Sequence, residues 1–163
     1  MRSEQEVIHA IDSYADTVRR ICFVHLKSIP DTEDIFQEVF LKYALRCADF
    51  EDLSHEKAWF IRVTINACKD LLKSAFRRCT VSMDELIDLP APEREEHREV
   101  LEAVLQLPSK YKDVVYLHYY EGYSAVEIAA ILGKNINSIY TLLARARAQL
   151  KTTLGGDGFA ESN

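Results

Sequence analysis

The sequence predicts an all-α protein, with two small helical domains joined by a flexible acidic linker and a helix-turn-helix in the second. Three observations carry this. Apolar residues recur at spacings of three and four through most of the chain, and no run shows period-two alternation bounded by turn residues. Residues 79–96, CTVSMDELIDLPAPEREE, combine two prolines and concentrated acid with little apolar periodicity, which is the composition of a tether. Residues 124–150, SAVEIAAILGKNINSIYTLLARARAQL, read as two helices about a tight turn.

The first helix is expected over about residues 4–27, opened by Ser3 with Glu6 three residues on, the spacing of a capping box. Pro30 interrupts, and Asp31 can cap a second helix running to about Ala48. Its broad apolar face is Ile35, Phe36, Val39, Phe40 and Tyr43. An acidic, polar loop from Asp49 to Glu56 precedes a third helix over about 57–78. In that helix Ala58, Ile61, Ile65, Cys68 and Leu72 face inward, helped by Phe60, Ala67 and Leu71. The linker holds at most one short helical turn, at Ser82–Glu85. Helices near 97–106 and 109–120 follow, separated at Pro108, and the last residues, GGDGFAESN, read as a disordered tail.

In the helix-turn-helix, Ser124 and Glu127 repeat the capping-box spacing. Ile128, Ile131 and Leu132 form one apolar face, and Ala129 is small where a second helix crosses. Gly133 supplies a left-handed helix end, and Asn135 caps the next helix, whose inward positions are Ile139, Leu142, Leu143, Ala146 and Leu150. A second helix with a polar outer face suits a major-groove reader, although an ordinary helical hairpin has the same parts.

Composition sets the bounds. The chain has 163 residues, 48% hydrophobic and 28% charged, which fits a soluble globular protein. No stretch approaches the roughly 18 uninterrupted apolar residues of a membrane span, and MRSEQEVIHAID lacks the apolar core of a secretory signal, so a cytoplasmic protein without membrane insertion is expected. Cys22, Cys47, Cys68 and Cys79 form no CxxC pair and favour buried free thiols. Cys22 and His25 lie one helical turn apart, but no metal or other cofactor is expected. No phosphate-binding loop, metal-spaced cluster or nucleophilic triad is visible, so no catalytic residue is assigned.

Net charge is −6, but it is unevenly placed. Residues 62–80 hold five bases and one acid, whereas residues 81–102 hold two bases and eight acids. After residue 133, Lys134, Arg145, Arg147 and Lys151 stand unopposed until the tail. Phosphate would feel the local charge rather than the total.

Two stripes stand out. In the second helix Asp34, Gln37, Glu38 and Leu41 lie on the face opposite the apolar one, a docking stripe for a basic partner helix. On geometry alone, a solvated acidic face fits the pattern better. In the third helix Arg62, Asn66, Lys69, Lys73 and Arg77 form a polar stripe of about four turns, able to track a phosphate backbone. Phe50 and Trp59 flank the preceding loop and could stack on unpaired bases, against the alternative that both belong to the core.

Taken together, D-T-E-D-I-F-Q-E-V-F, W-F-I-R-V-T-I-N-A-C-K-D-L-L-K, L-P-S-K-Y-K-D-V-V-Y-L and E-G-Y-S-A-V-E-I-A-A-I-L-G resemble an RNA polymerase sigma factor of the extracytoplasmic-function (ECF) group. The resemblance covers about residues 5–154 and implies region 2 over 1–78, a linker over 79–96, region 4 over 97–154 and a tail over 155–163. It implies core RNA polymerase as partner, through the coiled coil of the β′ clamp and the β flap, with Asp34, Gln37, Glu38 and Leu41 on the docking face. It places the loop Asp49–Glu56, Phe50, Trp59 and the stripe Arg62, Asn66, Lys69, Lys73 and Arg77 at the −10 element, where one non-template base is flipped into a pocket. It places Lys134, Asn137, Ser138, Thr141 and Arg145 at the −35 element of promoter DNA. Asn pairs bidentately with adenine and Arg with guanine, or either holds only phosphate. Many family members are held by an anti-sigma protein.

Some residues depart from the family pattern. Lys134 follows the turn glycine where an apolar residue is usual, Ile136 and Tyr140 stand where polar or basic residues are common, and Lys112 replaces a frequent arginine. These leave the turn intact and bear on which bases are read. Two rival readings are a dimeric helix-turn-helix regulator of duplex DNA and an all-helical adaptor. The first leaves the 31–45 stripe and the basic third helix without a purpose; the second leaves the basic stripes solvated.

Overall fold

The computed structural model describes residues 1–46, 48–78 and 95–155, with side chains described over 1–46, 48–74 and 99–155. The chain divides into two compact units, Met1–Ile87 and Asp88–Asn163. All regular structure among the described residues is helical. The short turn expected at Ser82–Glu85, Cys47, Cys79 and most of the expected linker and tail lie outside the described residues.

Unit 1 is three helices, α1 (Glu4–Leu26), α2 (Ile29–Leu45) and α3 (Leu53–Arg78), each packed on the other two. The expected capping box opens α1: the Ser3 hydroxyl accepts from the Glu6 N–H at 3.2 Å and Glu6 Oε2 accepts from the Ser3 N–H at 2.8 Å. The start of α2 corrects the expectation. Its cap is Ser28, whose hydroxyl accepts from the Asp31 N–H at 3.3 Å, and Pro30 lies inside the first turn rather than before the helix. A first-turn proline gives up an N–H that has no helical partner there, and its fixed φ suits the helix. The same helix ends at Leu45, short of Ala48. The loop is also shorter than expected, because Asp52 caps α3 by accepting from the His55 N–H at 2.7 Å and starts that helix at Leu53.

Phe60 is the hub of this core. It is fully buried, with Tyr14 at 4.6 Å, Tyr43 at 5.0 Å, Trp59 at 5.1 Å and Phe40 at 5.2 Å between ring centroids. Val18, Cys22, Ile35, Val39 and Cys68 belong to the same buried cluster. Of the residues expected to face inward on α3, Phe60, Ile61, Ile65, Ala67 and Cys68 are buried, while Ala58, Leu71 and Leu72 are half-buried.

Unit 2 contains α4 (Glu95–Leu105), α5 (Ser109–Val115), a π-helical turn (Tyr116–Tyr120), α6 (Ala125–Leu132) and α7 (Ile136–Thr153). Glu95 and Glu96 therefore belong to α4 and not to the linker. The single helix expected over 109–120 is instead two forms: after Val115 the turn widens, and the Glu121 N–H reaches back five residues to the Tyr116 carbonyl at 3.1 Å. A stacked Tyr116–Tyr120 pair at 5.3 Å and a 2.7 Å bond from the Tyr116 hydroxyl to Glu121 hold it. Val114, Leu117, Ile128, Ile131, Ile139, Leu143, Ala146 and Leu150 fill the core, with α5 and α6 both packed on α7.

Candidate functional site

On α2 the sequence stripe and the buried face separate cleanly. Ile35, Val39, Phe40 and Tyr43 are buried and Phe36 is half-buried, while Asp34, Gln37, Glu38 and Leu41 are all exposed. Glu38 is also joined by Lys42 across one turn at 2.8 Å, an exposed pair that a stronger partner displaces at little cost. Leu41 is 60% exposed and Leu45, one turn further on, is 59% exposed, so the stripe changes from acidic to apolar along the helix. Leu45 lay outside the predicted stripe, although its spacing of four from Leu41 was readable.

On α3, Arg62, Asn66 and Lys73 are exposed and Lys69 is half-buried, on one side of the helix. The side chain of Arg77 lies outside the described residues. Trp59 and Phe50 are half-buried against the core instead of standing free in solvent. The Phe50 ring is enclosed. It stacks parallel to Tyr43 at 6.3 Å, meets His55 edge-on at 5.3 Å and Trp59 at 5.8 Å, and carries the guanidinium of Arg46 at 4.7 Å and of Arg2 at 5.2 Å. Arg46 also lies over Trp59 at 5.6 Å. Neither arginine was singled out by the sequence, since cation–π partners distant in the chain leave no spacing signal. Beneath this box Glu56 accepts hydrogen bonds from the Tyr43 and Tyr14 hydroxyls at 2.8 and 3.0 Å. Burial, then the bond to the Glu56 carboxylate, pushes the Tyr43 hydroxyl up to about 12 from its ordinary 10.0.

The helix-turn-helix forms as its residues specify. Ser124 and Glu127 make both bonds of a capping box, at 3.2 and 3.1 Å. Gly133 takes φ +64°, a conformation that costs other residues strain, and the Asn135 side chain accepts from the Asn137 N–H at 2.7 Å. At about 100° per residue, Asn137, Thr141, Ala144 and Ala148 fall along the middle of the outward face of α7. Tyr140 flanks them on one side and Arg145 on the other, and all six are exposed. Lys134 and Ser138 are exposed near the helix start. The Thr141 hydroxyl donates to the Asn137 carbonyl at 3.0 Å, so what it offers a ligand is its methyl and an acceptor. Ala144 and Ala148 keep that face low, while Tyr140 is 56% exposed. Arg147, expected among the unopposed bases, is half-buried and donates to the Tyr119 hydroxyl, tying α7 to the π-helical turn.

No cluster of three or more metal-ligating side chains occurs among the described residues. Cys22 and Cys68 are buried thiols outside any disulfide, with their sulfurs 3.9 Å apart. No helix among the described residues is long and apolar enough to cross a membrane.

Residues 10–78 match the family model for sigma-70 region 2, and residues 97–150 match that for sigma-70 region 4. The chain belongs to the sigma-70 family. Among relatives of this sigma factor, the RNA polymerase sigma factor SigV of Bacillus subtilis is 27% identical over 151 residues, covering 91% of this chain and 90% of that protein. The ECF RNA polymerase sigma factor BldN of Streptomyces coelicolor is 31% identical over 156 residues, covering 90% of this chain and 59% of BldN. The fold of this chain is similar to that of the sigma factor RpoE from Bartonella quintana, solved with the anti-sigma factor NepR. The TM-score is 0.78 at 21% identity, covering 94% of this chain and 99% of that one. CnrH, solved in complex with the cytosolic domain of CnrY, gives a TM-score of 0.67 at 20% identity over 95% and 91% of the two chains.

These matches decide between the readings. A duplex-binding regulator accounts for region 4 alone, whereas here region 2 is matched as well, over the two helices that bear the charged stripes. The protein is an RNA polymerase sigma factor of the ECF group, a class of transcription initiation factors and not of enzymes.

Proposed function

We propose that this sigma factor divides promoter engagement among three surfaces and contributes binding and strand-opening energy, with all chemistry left to the polymerase. Asp34, Gln37, Glu38 and Leu41 dock on the β′ clamp coiled coil of core RNA polymerase, and region 4 also meets the β flap. Trp59, Arg62, Asn66, Lys69, Lys73 and Arg77 receive the melted −10 strand, with Phe50 shaping the loop that takes a flipped base. Lys134, Asn137, Ser138, Thr141 and Arg145 enter the major groove at the −35 element. Domain limits of 1–78 for region 2 and 97–154 for region 4, joined by an acidic linker that gives way to α4 at Glu95 and trailed by a tail over 155–163, go with this division. The whole acts in the cytoplasm, and an anti-sigma protein of the kind bound to RpoE is an expected regulator.

The observation that carries the reading is the exposure pattern of α2. A helix with a full apolar face turned inward still leaves Leu41 and Leu45 in solvent beside Asp34 and Glu38. A purely solvated acidic face has no use for two such leucines. The test is promoter-directed run-off transcription with purified core polymerase. A transcript that depends on this chain supports the proposal; duplex binding by the chain alone, without core binding or a transcript, overturns it. Within that assay, Asp34→Lys with Glu38→Lys is expected to weaken core binding at least tenfold with the helical circular dichroism unchanged. Normal core binding by this variant refutes the docking assignment.

A further inference from the structure

The segment Ala48–Asp52 between α2 and α3 has no regular structure, yet it is tied at both ends. Its α3 side is held locally: Asp52 caps α3, and His55 Nδ1 accepts from the Glu51 N–H at 3.2 Å. Its α2 side is held by a residue from the far end of the unit. The Arg2 backbone N–H donates to the Ala44 carbonyl at 2.8 Å, which pins the start of the chain to the last turn of α2. From there the Arg2 guanidinium donates to the Ala48 carbonyl at 2.9 Å and to Glu6 at 3.1 Å. Its Cζ lies over the Tyr43 ring at 4.7 Å and the Phe50 ring at 5.2 Å, and Asp49 lies at 3.9 Å. Arg46 donates to the same Ala48 carbonyl at 3.1 Å.

This is an unusual concentration on one side chain. The Arg2 side chain is only 9% exposed although the residue stands next to the start of the chain. Glu6 is engaged twice, by Arg2 and by the Ser3 cap, and these bonds, the Ser3 backbone bond first, hold its carboxyl below the usual range. The result is a brace that runs from the α1 capping box through Arg2 to the carbonyl of Ala48 and the ring of Phe50. What the brace positions is a short loop with outward carboxylates: Asp49, Glu51 and Asp52 are all exposed, with Phe50 turned in beneath them. Carboxylates accept from exocyclic amines of bases, so moving them by an ångström changes which base fits.

We infer that Arg2 is a positioning residue for base discrimination at the −10 element, acting through Ala48 and Phe50 on the loop and not by touching DNA. This rests on the reading of that loop as the segment that takes the flipped base. An arginine is required because the task combines two directed N–H bonds with a planar face on two rings. Lysine supplies the charge and one bond but no planar stack.

The experiment uses the full chain in holoenzyme with core polymerase. It measures opening of promoters that differ only at each non-template base of the −10 element, alongside core affinity, binding to −35 duplex and thermal unfolding. Wild type is expected to discriminate among −10 bases, and Arg2→Ala to reduce the best-to-worst ratio about tenfold at one position. Core affinity and −35 binding are expected to stay within twofold of wild type. Arg2→Lys is expected to fall between the two, and it carries the test if Arg2→Ala folds poorly. A role in stability alone predicts a lower melting temperature with opening reduced equally on every promoter, and that result overturns the inference. So does an unchanged ratio. Asp49→Ala and Glu51→Ala separate the two levels. If they alter the ratio and Arg2→Ala does not, the brace is wrong and the loop reading stands; if neither they nor Arg2→Ala alter it, both fall.

Discussion

Tyr43 sits where three tasks meet: it is buried in the α2 face, bonded to Glu56 and covered by Arg2. Its hydroxyl titrates near 10.0 when unfolded and near 12 when folded, because burial and the Glu56 carboxylate both favour the neutral phenol. The support is therefore complete below pH 10 and is lost as pH rises toward 12. Denaturant unfolding followed by circular dichroism is expected to show unit 1 weakening steeply across that window. Tyr43→Phe should cost about 1 kcal/mol at neutral pH and flatten the alkaline decline. Parallel declines in the two proteins would place the linkage elsewhere. The residue scale also explains what sequence reasoning lost around Phe50. An aromatic beside a loop reads as a stacking platform or, more strongly, as core, and the partners Arg2, Arg46 and His55, drawn from three different places in the chain, show its ring held against the core.

Elements whose signals are local were legible. The two capping boxes, at Ser3 and Ser124, and the turn at Gly133 need only residues within four positions of one another, and each formed as read. Helix faces followed from periodicity for the same reason. Three things escaped. Pro30 looks like a break unless Ser28 is recognised as the cap two residues earlier. The left-handed end of α1 falls on Lys27, at φ 52°, where no glycine advertises it. The π-helical turn at Tyr116–Tyr120 shifts the register by one residue, too little to see against a 3.6-residue period. The Arg147–Tyr119 bond ties it to α7 of the same unit. Gly133 gives the sharpest test at this scale. A Cβ there meets nothing within 4 Å, so Gly133→Ala is expected to cost only the left-handed strain, about 1–2 kcal/mol, with Gly133→Asn costing less. Thermal unfolding of the two variants measures this directly. Equal losses would mean that contact, and not backbone conformation, fixes the turn.

For the molecule as a whole, the acidic total of −6 conceals where binding energy arises. In the proposed division the net-basic helices α3 and α7 hold DNA against a net-acidic remainder, so affinity for promoters depends on local counterion release and on the polymerase holding both stripes to one promoter. This predicts two distinct failures. Lys73 is exposed on the α3 stripe with a single flexible cation, suited to phosphate and indifferent to sequence. Arg145 is exposed beside Asn137 and Thr141 on α7, where a planar fork can pair with a guanine edge. In competition titrations of holoenzyme at several salt concentrations, Lys73→Ala is expected to weaken all promoters alike and to reduce the slope of log affinity against log salt by about one. Arg145→Ala should instead cost about 1–3 kcal/mol on the cognate promoter and relax preference at one −35 base pair, leaving other positions as selective as before. A swap of these signatures, with Lys73 changing base preference and Arg145 changing only the salt slope, would invert the roles given to the two stripes.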